Sequence, residues 1–368
     1  MTDDGEARSR PDIVGGPGSL GRREFLRWSG RLGLGAAVLP AAGLVAWGGG
    51  AKKVAPAVTA AATSRPVSLQ LSYLASVEYA GYYLAQQLGY YSADHVAATL
   101  IGGGPTVAIE AEVAAGKALV GIDGADIIMS ARQQGAPLVM FGAQFQKNPL
   151  GIVSLASKAV DTPKELVGKT VGVPSSLETT MNQFLAINGI RPSSVHFVPY
   201  QGDPGPLVNG SIDAGMTFVT ETVPFMEAQH LKSHSFLFDD YGYHVYNDCP
   251  FTTETVLRER HDDLVDWLRA TIKGWQYQNT HVSAGVDLVV SKYGKSQGLT
   301  VANQKLQAEE QLPLMVTPTT KSHGLFWMAD SDIEANVSTI SRLGIKATKA
   351  AFDTTVLTAA LGGKASVT

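Results

Sequence analysis

From about Val67 onward the chain alternates short apolar runs with stretches of helical spacing, and it runs through that alternation twice. Val67, Leu69, Leu71 and Tyr73 alternate with Ser68, Gln70 and Ser72, the two-residue period of a strand. A helix is predicted over 79–88, stopped by Gly89. The strand "HVAATLIGGG", a helix over 106–115, a strand over 118–122, a helix over 125–134 and a strand over 137–142 follow. The pattern restarts with the strand "GIVSLASK", the capped short helix "DTPKELVG" with Pro163 in its first turn, the strand "KTVGV" and a helix from Ser175 to about Asn188. It continues through "VHFVPY", "DPGPLVNGSI", "DAGMTFV", a helix over 223–229 and "HSFLFDD". Strands separated by helices and short loops predict parallel sheets covered on both faces. From 251 the chain reads mainly helical, with Leu257, Leu264, Trp267, Leu268, Ile272 and Trp275 sharing one face. The expected fold class is therefore α/β, with two doubly wound sheets forming two lobes around a cleft and a helical C-terminal segment.

The 368 residues suffice for two domain-sized cores. A net charge of -4 and the lack of any basic run argue against a nucleic-acid partner. Cys249 is the only cysteine, so neither an intrachain disulfide nor a cysteine metal site can form. Ahead of the first strand, a polar leader is followed by Arg22-Arg23, Phe25-Leu26 and the uncharged stretch 32–47. That order resembles a twin-arginine export signal, with Ala-x-Ala cleavage patterns at 55–57 and 60–62. The apolar stretch is short and glycine-rich for a membrane anchor. Trp47 stands where a lipoprotein box would carry its cysteine, so lipid attachment at that site is ruled out. The reading is export, to the periplasm or the outer face of the cytoplasmic membrane.

In open parallel sheets, ligands sit beyond the carboxyl ends of the strands, where helices begin. That rule selects Tyr73, Glu78 and Tyr79 after the first strand, Gly103 after the second, and Asp123 after the third. In the second unit it selects Ser175, Ser176, Tyr200 and Glu221. Aromatics, hydroxyls and a few carboxylates have the composition of a small-molecule pocket. Structural alternatives stand beside each candidate. Ser175 with Glu178 fits a capping box, Asp123 before Gly124 fits a helix cap, and the glycines at 102–104 fit a tight turn. Glu221 is open between a helix cap and a partner for a ligand amine or amidine. Six of the twelve tyrosines fall within 72–91; Tyr82 and Tyr83 share a helix face and are expected in the core, with Tyr90 and Tyr91. No HExxH, CxxC or GxxxxGK[ST] pattern occurs, the glycines at 102–104 lack a GxGxxG pattern, and no catalytic group, metal or cofactor is expected.

"SYLASVEYAGYYLAQQLGYYSADHV", the block from "EAEVAAGKALVGIDGADIIMSARQQG" to "FQKNPLGIVS", and "DTPKELVGKTVGV" resemble the solute-binding proteins of ABC importers. Within them the chain looks like the branch serving thiamine-pyrimidine precursors, riboflavin, sulfonates and nitrate, over about residues 67–290. The resemblance implies a two-lobed periplasmic-binding fold of the second type. The implied division is a leader over 1–62, first lobe over 63–150, second lobe over 151–248, and a return with C-terminal helices over 249–368. It also implies a monomer that closes on a small ligand and docks on a membrane permease. In such proteins aromatics stack a flat ring and carboxylates read its nitrogens; Tyr73, Glu78, Tyr79 and Glu221 match those roles best. An aliphatic sulfonate, amide or nitrate is the alternative ligand. Pyrimidine-synthesising enzymes of the same branch carry a cysteine-rich iron motif that this chain lacks. Six clustered tyrosines favour a larger, flat ligand, since stacking adds roughly 0.5–1.5 kcal/mol beyond area burial.

Overall fold

The computed structural model describes residues 64–104 and 106–367. The export-signal reading falls outside the described residues. Among those residues no helix is long and apolar enough to cross a membrane. The first sheet contains β1 (Arg65–Gln70), β2 (Val96–Ile101), β3 (Val120–Asp123) and β4 (Leu138–Met140). The second contains β5 (Leu150–Leu155), β6 (Thr170–Val173), β7 (His196–Pro199), β8 (Ala214–Phe218) and β9 (Ser233–Leu237). β10 (Cys249–Thr253) then returns to the first sheet. Strand orders are β2-β1-β3-β10-β4 and β7-β6-β8-β5-β9, the same plan used twice.

The sheets are mixed, which corrects the all-parallel expectation. β10 runs antiparallel to β3 and β4, and β5 antiparallel to β8 and β9. Each reversed strand is the one that arrives from the other sheet. It enters at the sheet end that faces the cleft, where the other strands finish, and so must run against them. The two connecting segments lie side by side: Phe145 N–H donates to Asn247 O at 3.0 Å, and Asn247 N–H to Phe145 O at 3.2 Å. Asn148 fastens the same ribbon, donating to Val245 O at 3.1 Å and accepting from Leu150 N–H at 3.0 Å.

The helix Ala80–Gln87 packs on the helix His261–Thr280 over the first sheet. Leu264, Trp267, Leu268, Ile272 and Trp275 are fully buried there, as their spacing predicts. Gly81 lies flat against the Trp275 ring, and Gly274 against the Gly81 carbonyl, so neither position has room for a Cβ. Tyr82 fills the remaining space, with ring centroids 6.2 Å from Trp267 and 6.0 Å from Trp275. Tyr83 stacks on Tyr293 at 3.9 Å, and the Tyr91 hydroxyl meets Thr271 Oγ1 at 2.9 Å. These three tyrosines are core, as expected. Farther on, Asn336 accepts from Tyr246 N–H, and Arg342 donates to Gly242 O at 3.2 Å. The C-terminal segment thus also braces the second connection.

Candidate functional site

The turn after β1 is built around Ser76, which accepts the Glu78 N–H at 3.2 Å and starts the single 3-10 turn Val77–Tyr79. That turn buries Glu78 to 3% exposure. In the second lobe, the helix Val219–Ala228 begins directly at the end of β8 and carries Glu221 in its first turn, where the helix dipole favours an acid. Glu221 is half-buried. The two carboxyls are neighbours across the lobes; burial raises the proton affinity of the Tyr73 phenol, and Glu221 and Glu78 raise it further. Tyr73 itself is 40% exposed at the β1 end, its ring available for stacking.

A third carboxyl joins them from the return connection. Asp248 is 1% exposed and holds a left-handed backbone with φ 47°, a region an aspartate tolerates better than most residues. Its Oδ2 accepts from Gln144 Nε2 at 3.1 Å, and its Oδ1 from the Ser72 hydroxyl at 3.4 Å. Gln144 also donates to Glu78 O at 2.9 Å, so the first connection, the β1 turn and the return meet at one amide. The Gln144 Oε1 is buried without a partner.

Burial pushes all three carboxyls up. Glu78 stands well above its ordinary value through burial and then the Asp248 charge. Glu221 does so through enclosure and then the Glu78 charge. Asp248 is pushed up to about 8, chiefly by burial. Among the described residues no Lys, Arg or His lies within 4.0 Å of any of these carboxylates; every ion pair forms elsewhere. Three clustered acids with no base beside them hold on to their protons, and a bound cation would favour their charged forms.

The other expected site residues are placed as follows. Tyr79 is wholly buried; its hydroxyl meets Ser72 Oγ at 2.6 Å and accepts Tyr73 N–H at 3.1 Å. It therefore acts on the cleft by holding Tyr73. Gly103 packs against the backbone of Leu71, Ser72 and Tyr73, so its missing side chain serves strand-end packing rather than an open ligand surface. Asp123 is half-buried; burial, and then the neighbouring Glu110, drive its carboxyl up, and it accepts Gly124 N–H at 2.7 Å. Asp123 does not cap the following helix, whose N-cap is Gly124. Ser175 is exposed in the one-turn helix Ser175–Leu177, to which Ser176 also belongs. The expected capping box with Glu178 does not form, because that extra turn moves the helix start to Glu178 itself. Tyr200 is 3% exposed, its ring lying over Gly172 and Gly215 in the second lobe's core. Among the described residues no group of acids, histidines or cysteine has the arrangement of a metal site.

Sequence reading reached Gln144 as a position after the fourth strand without giving it a role, and it missed Ser72, Asp248 and the glutamines Gln304, Gln307 and Gln311 of the helix Val301–Met315. Spacings of 3 and 4 mark those glutamines as one helical face, the signal that was available. All three are buried, at 1%, 3% and 2%. They face the Val77–Tyr79 turn: Val77 N–H donates to Gln304 Oε1 at 2.8 Å, and Gln311 Nε2 donates to Val77 O at 3.0 Å.

The family described as "NMT1/THI5 like" matches residues 76–282. The chain belongs to that family. The match spans both carboxylates of the cross-lobe pair and both connections. Among curated proteins, this NMT1/THI5-like chain is 26% identical over 139 residues to the riboflavin-binding protein RibY of Chloroflexus aurantiacus, covering 37% of this chain and 39% of that one. It is 22% identical over 247 residues to the 4-amino-5-hydroxymethyl-2-methylpyrimidine phosphate synthase of Legionella pneumophila, covering 65% of this chain and 77% of the synthase. Among solved structures it is similar to the periplasmic aliphatic sulphonate binding protein SsuA of Escherichia coli, at TM-score 0.60 and 12% identity over 77% of this chain and 91% of that one. The alkanesulfonate-binding SsuA of Xanthomonas axonopodis gives TM-score 0.59 and 12% identity over 80% and 99%. These structural likenesses establish the two-lobed periplasmic-binding-protein fold of the NMT1/THI5-like chain.

Proposed function

We propose that this chain is the exported, monomeric ligand-binding component of an ABC importer, and that it captures a small flat nitrogen heterocycle between its lobes. The observation that carries the reading is the cross-lobe pair Glu78 and Glu221 beside the half-exposed Tyr73 ring. A ligand ring stacked on Tyr73 would present its N–H groups to both carboxyls, and ligand contact from both lobes would favour their closed arrangement. The riboflavin-binding relative supports a ring ligand. The sulfonate-binding neighbours share the fold. Among the described residues no Lys, Arg or His stands beside the three carboxyls to pair with the charge of an anionic sulfonate.

A thermal-shift and tryptophan-fluorescence screen tests this, with riboflavin, thiamine, 4-amino-5-hydroxymethyl-2-methylpyrimidine, taurine and nitrate side by side. A rise in Tm with a ring compound is expected. A rise with taurine or nitrate alone would sink the reading.

The synthase relative favours one second reading, a pyrimidine-forming enzyme on the same fold. Its check is mass spectrometry after long incubation with each ligand that binds. Recovery of unchanged compound is the outcome for a binding protein, and conversion to a product is the outcome for an enzyme.

A further inference from the structure

Each connection between the lobes carries an amide side chain, and a backbone group fixes which way each amide points. On the first connection, Gln144 Nε2 donates to the Glu78 carbonyl at 2.9 Å. A carbonyl only accepts, so the NH2 lies at that end, where it also serves Asp248 Oδ2 at 3.1 Å. On the return, Asn247 Oδ1 accepts the Asp248 N–H at 2.7 Å. A backbone N–H only donates, so the Asn247 oxygen lies at that end and its NH2 at the other. Among the described residues no protein atom accepts from that NH2. Asn247 is partly exposed, and its backbone is anchored by the two bonds to Phe145 at 3.0 and 3.2 Å. The donor is therefore held in place before any ligand arrives.

Its position is marked by Gly124, the residue after β3. A side-chain carbon at Gly124 would stand 3.4 Å from Asn247 Nδ2 and 2.8 Å from Asp126 Oδ1. Gly124 has φ −66° and ψ 142°, a backbone that any residue adopts, so conformation does not call for glycine there. The absent side chain instead leaves room for the two polar groups. Half-buried Asp123 and exposed Ile127 flank the same strand end, one of those that deliver residues to the cleft. Holding the left-handed turn at Asp248 needs only the Asn247 oxygen. It accounts neither for the NH2 nor for its place over a glycine.

We propose that Asn247 binds the ligand, donating from Nδ2 to a ring acceptor, and that the ligand is a heterocycle with a ring nitrogen or carbonyl beside its N–H group. The proposal rests on the reading that the cleft holds a flat nitrogen heterocycle, and it adds the hydrogen-bonding pattern that ring must carry. The carboxyls of Glu78 and Glu221 accept an N–H, and Asn247 supplies the complementary donor. A ring with an amino group alone would cover the Asn247 NH2 and leave it unpaired, which costs affinity. A ring that places an acceptor beside its donor satisfies both sides.

The test uses Asn247→Asp, which keeps the oxygen that accepts from Asp248 N–H and replaces the NH2 with a second acceptor. The probes are 4-aminopyrimidine, with a ring nitrogen next to its amino group, and aniline, equally flat but without a ring acceptor. Isothermal titration is run at a pH where both probes are uncharged, so the added carboxylate exerts no net-charge effect on their ratio. The native chain should bind 4-aminopyrimidine about tenfold more tightly than aniline. Asn247→Asp should erase that preference while its Tm stays near native, whereas a residue that only holds the turn would leave the preference in place. Equal binding of the two probes by the native chain, or a preference retained by the variant, overturns the proposal and leaves the ring reading standing. A native chain that binds no ring compound at all sinks that reading, and this inference with it. If Asn247→Asp does not fold, nitrogen-15 NMR of the native chain decides. The Asn247 side-chain amide signals, assigned through their connectivity to its backbone, should move with 4-aminopyrimidine and stay with aniline; equal shifts overturn the proposal.

Discussion

Gln144 Nε2 donates to Asp248 Oδ2 at 3.1 Å, a side-chain bond that joins the two connections between the lobes beside their backbone pairing. Asp248 pays for that position with burial, which lifts its carboxyl from an ordinary 3.8 to about 8. The folded chain therefore holds the Asp248 proton more tightly than the unfolded chain does. The stability so contributed is fully present below the unfolded value and is lost as pH rises toward about 8. Denaturant midpoints at about pH 5 and about pH 9 should fall with rising pH in the native chain, and fall clearly less in Asp248→Asn. Equal slopes in the two proteins would show that Asp248 does not carry this dependence.

Glu221→Gln separates ligand recognition from stability. A buried carboxyl beside another carboxyl costs the fold something near neutral pH, and the neutral amide removes that cost. The variant should match or exceed the native Tm without ligand. It should also bind a basic aminopyrimidine at least about tenfold more weakly, because a charge-assisted bond is lost, while a neutral ring ligand keeps most of its affinity. Isothermal titration with both ligand types reads this directly, and undiminished aminopyrimidine binding would remove Glu221 from the site.

Tyr73 and Tyr79 should respond in opposite ways. Tyr73 is 40% exposed, so Tyr73→Ala should leave Tm nearly unchanged and weaken a stacked ligand by about tenfold. Tyr79 is fully buried with its hydroxyl shared between Ser72 Oγ and Tyr73 N–H. Tyr79→Phe should therefore cost about 1–3 kcal/mol of stability, the range for orphaned buried partners. Its effect on ligand affinity should be the smaller of the two. A reversed pattern would place Tyr79, rather than Tyr73, on the ligand.

Much of the fold was legible, because strand–helix alternation is a local property and appears twice with short loops. The reversed strands β5 and β10 were not, since a strand's direction depends on where the chain enters the sheet. Glu78 and Glu221 could be found because strand ends deliver residues to a cleft. That rule gives a position along the chain and not a side-chain direction, so Tyr79 and Tyr200 satisfied it and yet turn into the core. Asp248 lies on the return connection, outside any strand-end rule, and Gln144 follows a strand without any local sign of the partners it meets. Gln304 reaches the Val77 backbone across 227 residues of sequence, a contact that only the tertiary fold creates.

Gly81 sits three residues after Glu78, and its contact with Trp275 fixes how the helix behind the carboxylate lies on the first lobe. A Cβ at Gly81 would overlap the indole ring, and Trp275 is fully buried, so the ring cannot swing into solvent. Gly81→Ala should therefore destabilise the chain by about 1–3 kcal/mol, the usual cost of overpacking a filled core. The Ala80–Gln87 helix would have to lift away from the His261–Thr280 helix, carrying the Glu78 turn with it. Ligand affinity should then fall together with Tm, and the fluorescence of the displaced tryptophan should change. Gly102→Ala is the control, because nothing lies within 4 Å of a Cβ there. Calorimetry on both variants decides the matter: an equal, small change in Tm would mean that the Gly81 contact with Trp275 does not set the helix position.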